Sequence, residues 1–583
     1  MDINKELKDL MTDFPFSFDA KKECEKIYRE IYSIIDCISE QDQVLIRGAG
    51  EHTEELLRIF NDCGKKNNIV AIIDDRLSGT IIEGITVNPV TFQEKVFFNI
   101  VLLSSFSYEK EMKCEYVNDN VEIIAIYEEL EKRGIKLLAP FYKYTEYGYM
   151  LPLTYFYNYR KDNDKASLES LIGALLNIKD FLNAEKYINE YIKRSFDGLD
   201  VLKRFLSAWK DLDIKIKKEL SLKKDILWYW TDAVDFENVK LLPQIYQYKD
   251  KGIFFNNAYS VAAYTTEATR AIFDGFYPID DYKAYDNPIN GKNSRLLQVL
   301  KSNNYDFIYV GYDDSQKIAE EYTKSIDGVT NFTTKPDTAS TLLLWLVLRE
   351  SLLRKRSGCY LCHILPESHD GNCFDDTIEY CYQKRLGYCE QTVNAFNYID
   401  KQIYFYNAFW NDDNIRIFMS DHGSHILNPN TMNFVDSKVH SYLIITGEGI
   451  PAINEDRIFS YTKFAELFIY LFKGCSSNYN KIFSDYAKLQ DYDYKSLSGV
   501  IAFINADNKE KGLAFRQVIT KHDRYIVLGN GKELYYLNSD LDKNLFFDKK
   551  FYGRIEELRK ICGNYFIDVW KNEDFVNSRK LYE

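Results

Sequence analysis

Three short stretches of the chain carry residues that could bind a metal ion and attack phosphorus. They are "WTDAVD" with Asp232, "YTTEATR" with the adjacent Thr265 and Thr266, and "SDHGSH" with Asp421 and His422. Carboxylates and imidazoles are ligands of divalent metals, and a metal beside a threonine hydroxyl lowers the pKa of that hydroxyl. These residue types therefore predict metal-assisted nucleophilic attack on phosphorus or sulfur.

The elements around these stretches would bring them to one place. "DILWYWT" and "IRIFMS" are apolar runs typical of strands buried on both faces, and "TTEATRAIFDG" begins a predicted helix. Strands and helices alternate over residues 223–548, which predicts a largely parallel sheet flanked by helices. Ligands collect at the carboxyl ends of such strands, so we expect the acids, the histidine and the threonines to converge there.

A Rossmann-like α/β domain is predicted for residues 1–148. Its first strand ends in Gly48 and Gly50, and its second strand ends at Asp74. Such glycines let a phosphate approach a helix N-terminus, and such an acid can bind a ribose hydroxyl. Because Thr53 replaces the third glycine of G-x-G-x-x-G, a tight turn used for packing remains an alternative to nucleotide or nucleotide-sugar binding.

The rest of the chain divides by its hydrophobic periodicity. In residues 149–222, apolar residues recur at spacings of three and four residues, which predicts a helical connector. Residues 223–548 form the predicted catalytic unit, including a C-terminal subdomain, and residues 549–583 form a C-terminal helical tail.

The overall charge and composition exclude several classes of protein. The net charge of −14 over 583 residues argues against broad binding to nucleic acid or to anionic lipid. The N-terminus lacks the apolar core of a signal peptide, and no run of eighteen apolar residues occurs. We therefore expect a soluble, cytoplasmic protein without a transmembrane segment, whose eleven cysteines are reduced.

The stretch "CYLCHILPESHDGNC" combines three cysteines and two histidines, among them Cys359, His363 and His369. Zinc binding is a possible interpretation of these residues. Residues 359 to 363 lie in a strand-like run, however, where alternate side chains face opposite sides. They cannot all converge on one ion, which disfavours a structural zinc site.

Taken in order, the motifs resemble the alkaline phosphatase superfamily, in its sulfatase-like branch of hydrolases and phospho-group transferases. The similar segments are "DILWYWTDAVD", "AYSVAAYTTEATRAIFDG", "LLQVLKSNNYDFIYVG", "CYLCHILPESHDGN", "FMSDHGSH", "VHSYLIITGEGIP" and "AFRQVITKHDRYIVLGNGKELYYLNSDLDKNLF". They cover residues 225 to about 548 in family order. The resemblance implies an alkaline phosphatase/sulfatase-like α/β sandwich.

A metal centre follows from the resemblance. It implies that Asp232, Asp421 and His422 hold one divalent ion, with manganese, zinc and calcium all possible, and that a threonine completes the ligand set. That threonine is the nucleophile.

The threonine is Thr266 if Arg270 is the family's arginine four residues further on. It is Thr265 if the distance back from Gly275 is kept. We expect Thr266. The resemblance also implies that His369 and His440 contact the transferred group or act as acid and base, with Arg270 offsetting negative charge. It gives His425 no role.

Two departures from the sulfatase pattern favour phosphorus over sulfur. The sulfatase nucleophile is a Cys or Ser in C/S-x-P-x-R that is converted to formylglycine, and here the site reads T-E-A-T-R. Sulfatases also place a Lys and a His where this chain has Tyr312, Asp313 and Asp314. A threonine nucleophile beside Asp-His-Gly is the arrangement of the phosphorus-handling members.

The resemblance therefore implies a transferase that works through a phospho-threonine intermediate. It would move a substituted phosphoryl group, of phosphoramidate, phosphoethanolamine or phosphoglycerol type, from an activated and perhaps nucleotide-linked donor. The acceptor would be a hydroxyl of a bacterial capsule or other surface polysaccharide. Alternatives are a phosphodiesterase, phosphatase or sulfatase-type hydrolase, and a non-catalytic glycan-binding scaffold.

Overall fold

The chain folds into a mixed α/β structure with two largely parallel sheets, helices on their faces, and a smaller antiparallel sheet near the C-terminus. The computed structural model describes residues 1–116, 120–196, 198–263, 265–277, 288–311, 318, 319, 322, 338–364, 388–423, 436–475, 479–491, 515–528 and 532–563. Within these residues, no helix is both long and apolar enough to cross a membrane.

The N-terminal unit contains a six-stranded sheet in the order β3-β4-β2-β1-β5-β6, in which only β3 runs antiparallel to its neighbour. Its strands are β1 Val44–Arg47, β2 Ile69–Ile73, β3 Ile81–Ile82, β4 Ile85–Asn88, β5 Ile100–Leu103 and β6 Glu122–Ala125. Its helices are α1 Ile3–Met11, α2 Ala20–Asp36, α3 Glu51–Asp62, α4 Glu109–Tyr116 and α5 Ile126–Lys132. The chain order reverses between β1 and β5, as in doubly wound nucleotide-binding folds.

Four consecutive helices follow, where the sequence predicts a helical connector. They are α6 Met150–Asp162, α7 Lys165–Asn177, α8 Phe181–Lys193 and α9 Leu199–Leu220. Their apolar faces join one hydrophobic core with the N-terminal unit and with one face of the central sheet. The N-terminal unit and the connector therefore pack continuously against the second sheet.

The central sheet has seven strands in the order β10-β11-β7-β12-β14-β8-β15, and only β14 runs against the others. Its strands are β7 Ile226–Thr231, β8 Gly252–Phe255, β10 Asp306–Val310, β11 Gly358–Ile364, β12 Ile415–Met419, β14 Leu443–Thr446 and β15 Ile453–Glu455. The helices between them are α10 Pro243–Tyr246, α11 Thr265–Asp274, α12 Arg295–Ser302, α13 Ser340–Leu353, α14 Tyr388–Asn407 and α15 Asp436–Val439, and α16 Phe464–Phe472 follows β15.

Strand β7 shows why this sheet forms from continuous apolar runs. Trp228 and Trp230 lie in the core on one face, whereas Leu227 and Tyr229 lie in the core on the other. Successive side chains point to opposite faces of a strand, so both sets must be apolar when both faces are buried.

Two further sheets complete the fold. Short strands β9 Ala258–Tyr259, β13 His440–Ser441 and β16 Phe459–Ser460 pair in the order β13-β9-β16. An antiparallel sheet contains β17 Tyr486–Asp491, β18 Phe515–Thr520, β19 Asp523–Leu528 and β20 Glu533–Leu537, with helix α17 Tyr552–Cys562 on one face. Its other face shares a small core with Tyr259, Ala263 and Val439, which places it next to the segment that leads into α11.

Candidate active site

The carboxyl ends of three neighbouring parallel strands meet at one point of the central sheet. β7 lies between β11 and β12, and Trp230 of β7 pairs with His363 on one side and Met419 on the other. Asp232 follows the end of β7 directly, and Asp421 lies two residues beyond the end of β12. The strand order therefore carries these side chains to the same edge, as expected for parallel neighbours.

Backbone contacts fix the distance between the two carboxylates. The Ala233 N–H donates to Asp421 Oδ1 (3.2 Å), and the Val234 N–H donates to Ser420 Oγ (2.9 Å). Ala233 has a left-handed φ of 59°, a conformation that costs energy for a residue with a side chain. Asp232 and Asp421 are both buried.

His422 and Thr265 complete the cluster. His422 Nε2 lies 3.3 Å from Asp421 Oδ2 and 3.5 Å from Asp232 Oδ1. Its Nδ1 lies 2.7 Å from the Gly423 carbonyl oxygen and must donate to it, so Nε2 is the nitrogen that faces the carboxylates. The Thr265 hydroxyl donates to Asp232 Oδ1 (3.2 Å) and lies 3.4 Å from His422 Nε2.

His363 is a member of the cluster that the sequence analysis missed. A ring nitrogen of His363 and carboxylate oxygens of Asp232 and Asp421 all lie within 4.8 Å of one another. His363 Nδ1 lies 3.1 Å from Tyr309 Oη, which leaves Nε2 as the nitrogen available to the cluster. The sequence places His363 only among the cysteines and histidines of the disfavoured zinc site. The available signal was its place at the end of a predicted buried strand of the same sheet.

The chemistry of these side chains fits a divalent cation. In the part of the chain that the structure describes, Asp232 Oδ2, Asp421 Oδ2 and His363 Nε2 are buried atoms without a hydrogen-bond partner. Buried polar groups are almost always satisfied, and two acids beside two imidazoles need a positive charge between them. Carboxylate oxygens and neutral imidazole nitrogens would suit Mn²⁺ or Zn²⁺, and the imidazoles suit Ca²⁺ less well.

The electrostatics of the two acids agree with this fit. Burial, and next the Asp421 carboxylate, raise the pKa of Asp232 well above its usual range. Burial opposes ionisation of Asp421 as well, but the imidazoles of His422 and His363 lower its pKa. Burial lowers the pKa of His363 to about 4, so this imidazole is neutral at pH 7. A divalent cation would allow both acids to ionise.

Of the two threonines, the structure brings Thr265 to the cluster rather than the expected Thr266. Helix α11 begins at Thr265, and the Thr265 hydroxyl contacts the cluster. Consecutive residues of a helix point about 100° apart, so Thr266 cannot take the same direction. The spacing to Arg270 favoured Thr266, but Arg270 donates to Asp274 Oδ2 (3.0 Å) in a buried ion pair one turn along α11.

His440 has a structural environment rather than the expected acid-base or substrate-binding one. Its ring lies between Phe236 (centroids 4.4 Å apart) and Tyr259 (4.8 Å), and its Nε2 donates to the Asn256 carbonyl oxygen (2.8 Å). Burial lowers the pKa of His440. Three neighbours thus hold the ring in place.

Two histidines of the sequence analysis cannot be placed: His369, which was expected in the site, and His425, which was given no role. His369 and His425 lie outside the described residues. In the "CYLCH" run, Cys359 faces one core and Cys362 the other, as the alternation of strand residues predicts.

In the N-terminal unit, the predicted nucleotide-binding residues hold a packed turn together. A Cβ added to Gly48 would come within 2.7 Å of the Ser104 carbonyl oxygen. Gly50 has a φ of 129°, which favours glycine. Asp74 accepts hydrogen bonds from the backbone N–H groups of Ala49 (3.3 Å), Arg76 (2.8 Å) and Leu77 (3.0 Å). The acidic first turn of α3 would also repel a phosphate, so the contacts favour packing over nucleotide binding.

No protein-family model matches the chain, and no curated protein matches it. Among solved structures, it is similar to a 2-O GAG sulfatase at 12% identity and a TM-score of 0.44, over 61% of this chain and 94% of the other. A putative sulfatase from Bacteroides thetaiotaomicron gives 12% identity and a TM-score of 0.43, over 61% of this chain and 94% of the other.

A phosphonate monoester hydrolase of Agrobacterium radiobacter has 12% identity to this chain and a TM-score of 0.41, over 57% of this chain and 94% of the other. The roles of individual residues must come from the geometry of the site itself.

Proposed function

We propose that this chain is a metal-dependent phospho-group transferase in which Thr265 is the nucleophile. The observation that carries the proposal is the hydrogen bond of 3.2 Å from Thr265 Oγ1 to Asp232 Oδ1, within a cluster of two buried acids and two histidines. A threonine that merely begins a helix needs no such surroundings. A threonine that attacks phosphorus needs a group that withdraws its proton.

The chain's own residues suffice to describe the covalent steps. Thr265 Oγ1 forms a bond to phosphorus, its proton passes to Asp232 Oδ1, and the P–O bond of the leaving group breaks with its electron pair on the leaving oxygen. In the second half, the acceptor oxygen bonds to phosphorus and the bond between Thr265 Oγ1 and phosphorus breaks. Thr265 Oγ1 regains a proton from Asp232, and the proton of the acceptor hydroxyl passes to Asp232 in its place and from there to solvent.

A divalent cation held by Asp232, Asp421, His422 and His363 would offset the negative charge that develops on the phosphoryl oxygens. Helix α11 would help to stabilise this negative charge, because its N-terminus lies at the reacting hydroxyl and favours anions there.

For the donor and the acceptor, the support is the family resemblance of the sequence. The phosphorus-handling members with a threonine nucleophile transfer substituted phosphoryl groups. We propose an activated donor of a phosphoramidate, phosphoethanolamine or phosphoglycerol group, and a hydroxyl of a surface polysaccharide as acceptor. Replacing that acceptor by water turns the same steps into phosphodiester or phosphomonoester hydrolysis.

The proposal is tested by turnover of aryl esters that release a coloured phenol. Purified full-length protein, loaded with Mn²⁺, Zn²⁺ or Ca²⁺, is assayed with an aryl phosphodiester, an aryl phosphomonoester and an aryl sulfate. We expect release from at least one phosphorus ester, and faster release when a glycan hydroxyl is present.

Matched variants decide between a reaction at Thr265 and a contaminating activity. Thr265→Ala should reduce release by at least about a thousandfold, because the nucleophile is absent. Thr266→Ala changes the neighbouring threonine and should retain the rate within about threefold. Full activity in Thr265→Ala, or turnover of the sulfate ester alone, would contradict the proposal.

A further inference from the structure

Tyr309 makes a buried contact with the histidine that the sequence analysis missed. Tyr309 Oη lies 3.1 Å from His363 Nδ1, and both residues are buried. Val310 of β10 pairs with Cys362 of β11, so the end of β10 runs beside His363. The contact therefore joins two neighbouring strands of the sheet just behind the site.

Gly311 provides the room for this contact. A Cβ added to Gly311 would come within 2.7 Å of His363 Cβ and 2.8 Å of Tyr309 Oη. Real Cβ atoms do not approach so closely, and the β-carbon of a strand residue cannot move away as the end of a long side chain can. Glycine at position 311 thus allows the tyrosine hydroxyl and the imidazole to meet.

The contact also bears on which nitrogen of His363 carries the proton. A neutral imidazole has one N–H and one lone pair, so the partner of Nδ1 decides what Nε2 can do. If Tyr309 donated to Nδ1, Nε2 would carry a hydrogen and point it toward two carboxylates. Among the described residues, however, Nε2 makes no hydrogen bond, and Asp232 Oδ2 and Asp421 Oδ2 are also without a donor.

We propose that Tyr309 is a positioning residue whose hydroxyl oxygen accepts the Nδ1–H of His363. This leaves the Nε2 lone pair directed at the two carboxylates, so that His363 is a protein ligand of the same divalent cation. The inference rests on the proposed function only in needing that cation. Outer partners of this kind fix the tautomer and orientation of metal-binding histidines in general.

The test measures metal binding without any substrate. Chelator-treated full-length protein is titrated with Co²⁺, followed by calorimetry and by visible absorption, whose bands depend on the number and type of ligands. We expect Tyr309→Phe to weaken Co²⁺ binding by about 10- to 100-fold and to change the absorption bands, because the ring remains but its acceptor oxygen is lost. His363→Gln should show at least the same loss.

The double variant separates a shared effect from two independent ones. If Tyr309 acts through His363, adding Tyr309→Phe to His363→Gln should weaken binding no further. Tyr360→Phe is the matched control, since Tyr360 is also a buried tyrosine but lies in the core on the opposite face of β11. It should bind Co²⁺ with wild-type affinity and bands.

Each outcome decides between the two proposals. Wild-type affinity and bands in folded Tyr309→Phe, or in His363→Gln should the tyrosine variant not fold, would overturn the role of Tyr309 and leave the Thr265 chemistry standing. A wild-type protein that binds no divalent cation would overturn the proposed function itself.

Discussion

Thr265 and Asp232 are joined by a hydrogen bond of 3.2 Å, although 33 residues separate them along the chain. One residue begins helix α11, and the other follows the central strand β7. Asp421, from the next strand of the sheet, lies beside them and receives the Ala233 N–H. The arrangement places the Thr265 hydroxyl and two buried carboxylates, one of which accepts its hydrogen bond, at one sheet edge.

Thr265→Ser should retain most of the reaction. Serine keeps the hydroxyl that contacts Asp232 and loses only a methyl group, so we expect kcat within about tenfold of wild type. The measurement is the steady-state release of a phenol from the best phosphorus ester. If Thr265→Ser were as inactive as Thr265→Ala, the hydroxyl would not be the group that matters.

Metal binding should stabilise the folded protein by mass action. At a Mn²⁺ or Zn²⁺ concentration 100 times the Kd, binding adds about 2.7 kcal/mol to the free energy of unfolding. Asp421→Asn removes one buried ligand and should abolish this gain, which a thermal unfolding midpoint with and without metal would record.

The same variant should behave differently in chelator. Without a cation, the Asp421 carboxylate opposes ionisation of the buried Asp232, and an asparagine side chain can still accept the Ala233 N–H, so Asp421→Asn should unfold at about the wild-type temperature. A variant that is destabilised in chelator as strongly as in metal would show that Asp421 is needed for packing rather than for metal binding.

Acidification should destabilise the N-terminal unit through His52. His52 lies between Ser104 Oγ (3.0 Å) and Tyr127 Oη (2.7 Å), and burial lowers its pKa to about 3. The unfolded chain binds a proton there near pH 6.5, whereas the folded chain does not until about pH 3. Its contribution to stability is therefore complete above pH 6.5 and falls below it by about 1.4 kcal/mol per pH unit.

The check is urea unfolding at pH 7.5 and at pH 5 for wild type and His52→Gln. Glutamine cannot take up the proton, so the difference in unfolding free energy between the two pH values should be smaller in the variant by about 2 kcal/mol. Equal differences in the two proteins would mean that His52 is protonated in the folded state.

Asp180 should be the more important of two aspartates that begin helices of the connector. Asp180 is buried at the start of α8 and accepts hydrogen bonds from the Asn183 N–H (3.1 Å), Tyr398 Oη (2.8 Å) and Gln402 Nε2 (2.7 Å). The last two donors belong to α14, on the central sheet. This carboxylate therefore ties the connector to the catalytic unit.

Asp164 begins α7 and provides the matched control, because it caps its helix through the Ser167 N–H (2.7 Å) and is exposed. Asp164→Ala should cost about 1 kcal/mol, the usual value of a helix cap. Asp180→Ala should cost about 3 kcal/mol or more, because it also leaves two donors of α14 without their acceptor. Equal losses in urea unfolding would contradict the link to α14.

His440→Gln should leave the reaction intact. Glutamine can still donate to the Asn256 carbonyl oxygen, and only the stacking on Phe236 and Tyr259 is lost, at a cost of about 1 kcal/mol in stability. Phenol release within about threefold of wild type is the expected result. A loss of a hundredfold would return His440 to the reaction as an acid or base.

Strand-end positions made part of the site predictable from the sequence. Asp232 and Asp421 follow buried apolar runs, and parallel neighbours bring their carboxyl ends together whatever the loops do. The α/β fold follows from the same alternation of strands and helices. The role of Asp232 and Asp421 as metal ligands stays a prediction. That their side chains lie close together follows from the order of strands in the sheet.

The features of the site that the sequence did not predict depend on the direction in which a side chain points, rather than on the position of the residue along the chain. Thr265 and Thr266 differ by about 100° around one helix, and only the start of α11 selects between them. His363 points to the site because β11 ends level with β7, which no local pattern shows. His440 resembles a catalytic histidine in sequence, yet two aromatic rings and a carbonyl oxygen fill its surroundings.

The most direct test of the account is to locate the covalent intermediate. Metal-loaded wild-type protein is mixed with the best phosphorus ester, quenched in acid within the first turnovers, digested and sequenced by tandem mass spectrometry. The account predicts a phosphoryl-type adduct on Thr265 that is absent in Thr265→Ala and present in Thr266→Ala. An adduct on Thr266, or turnover in which no threonine is ever modified, would contradict it.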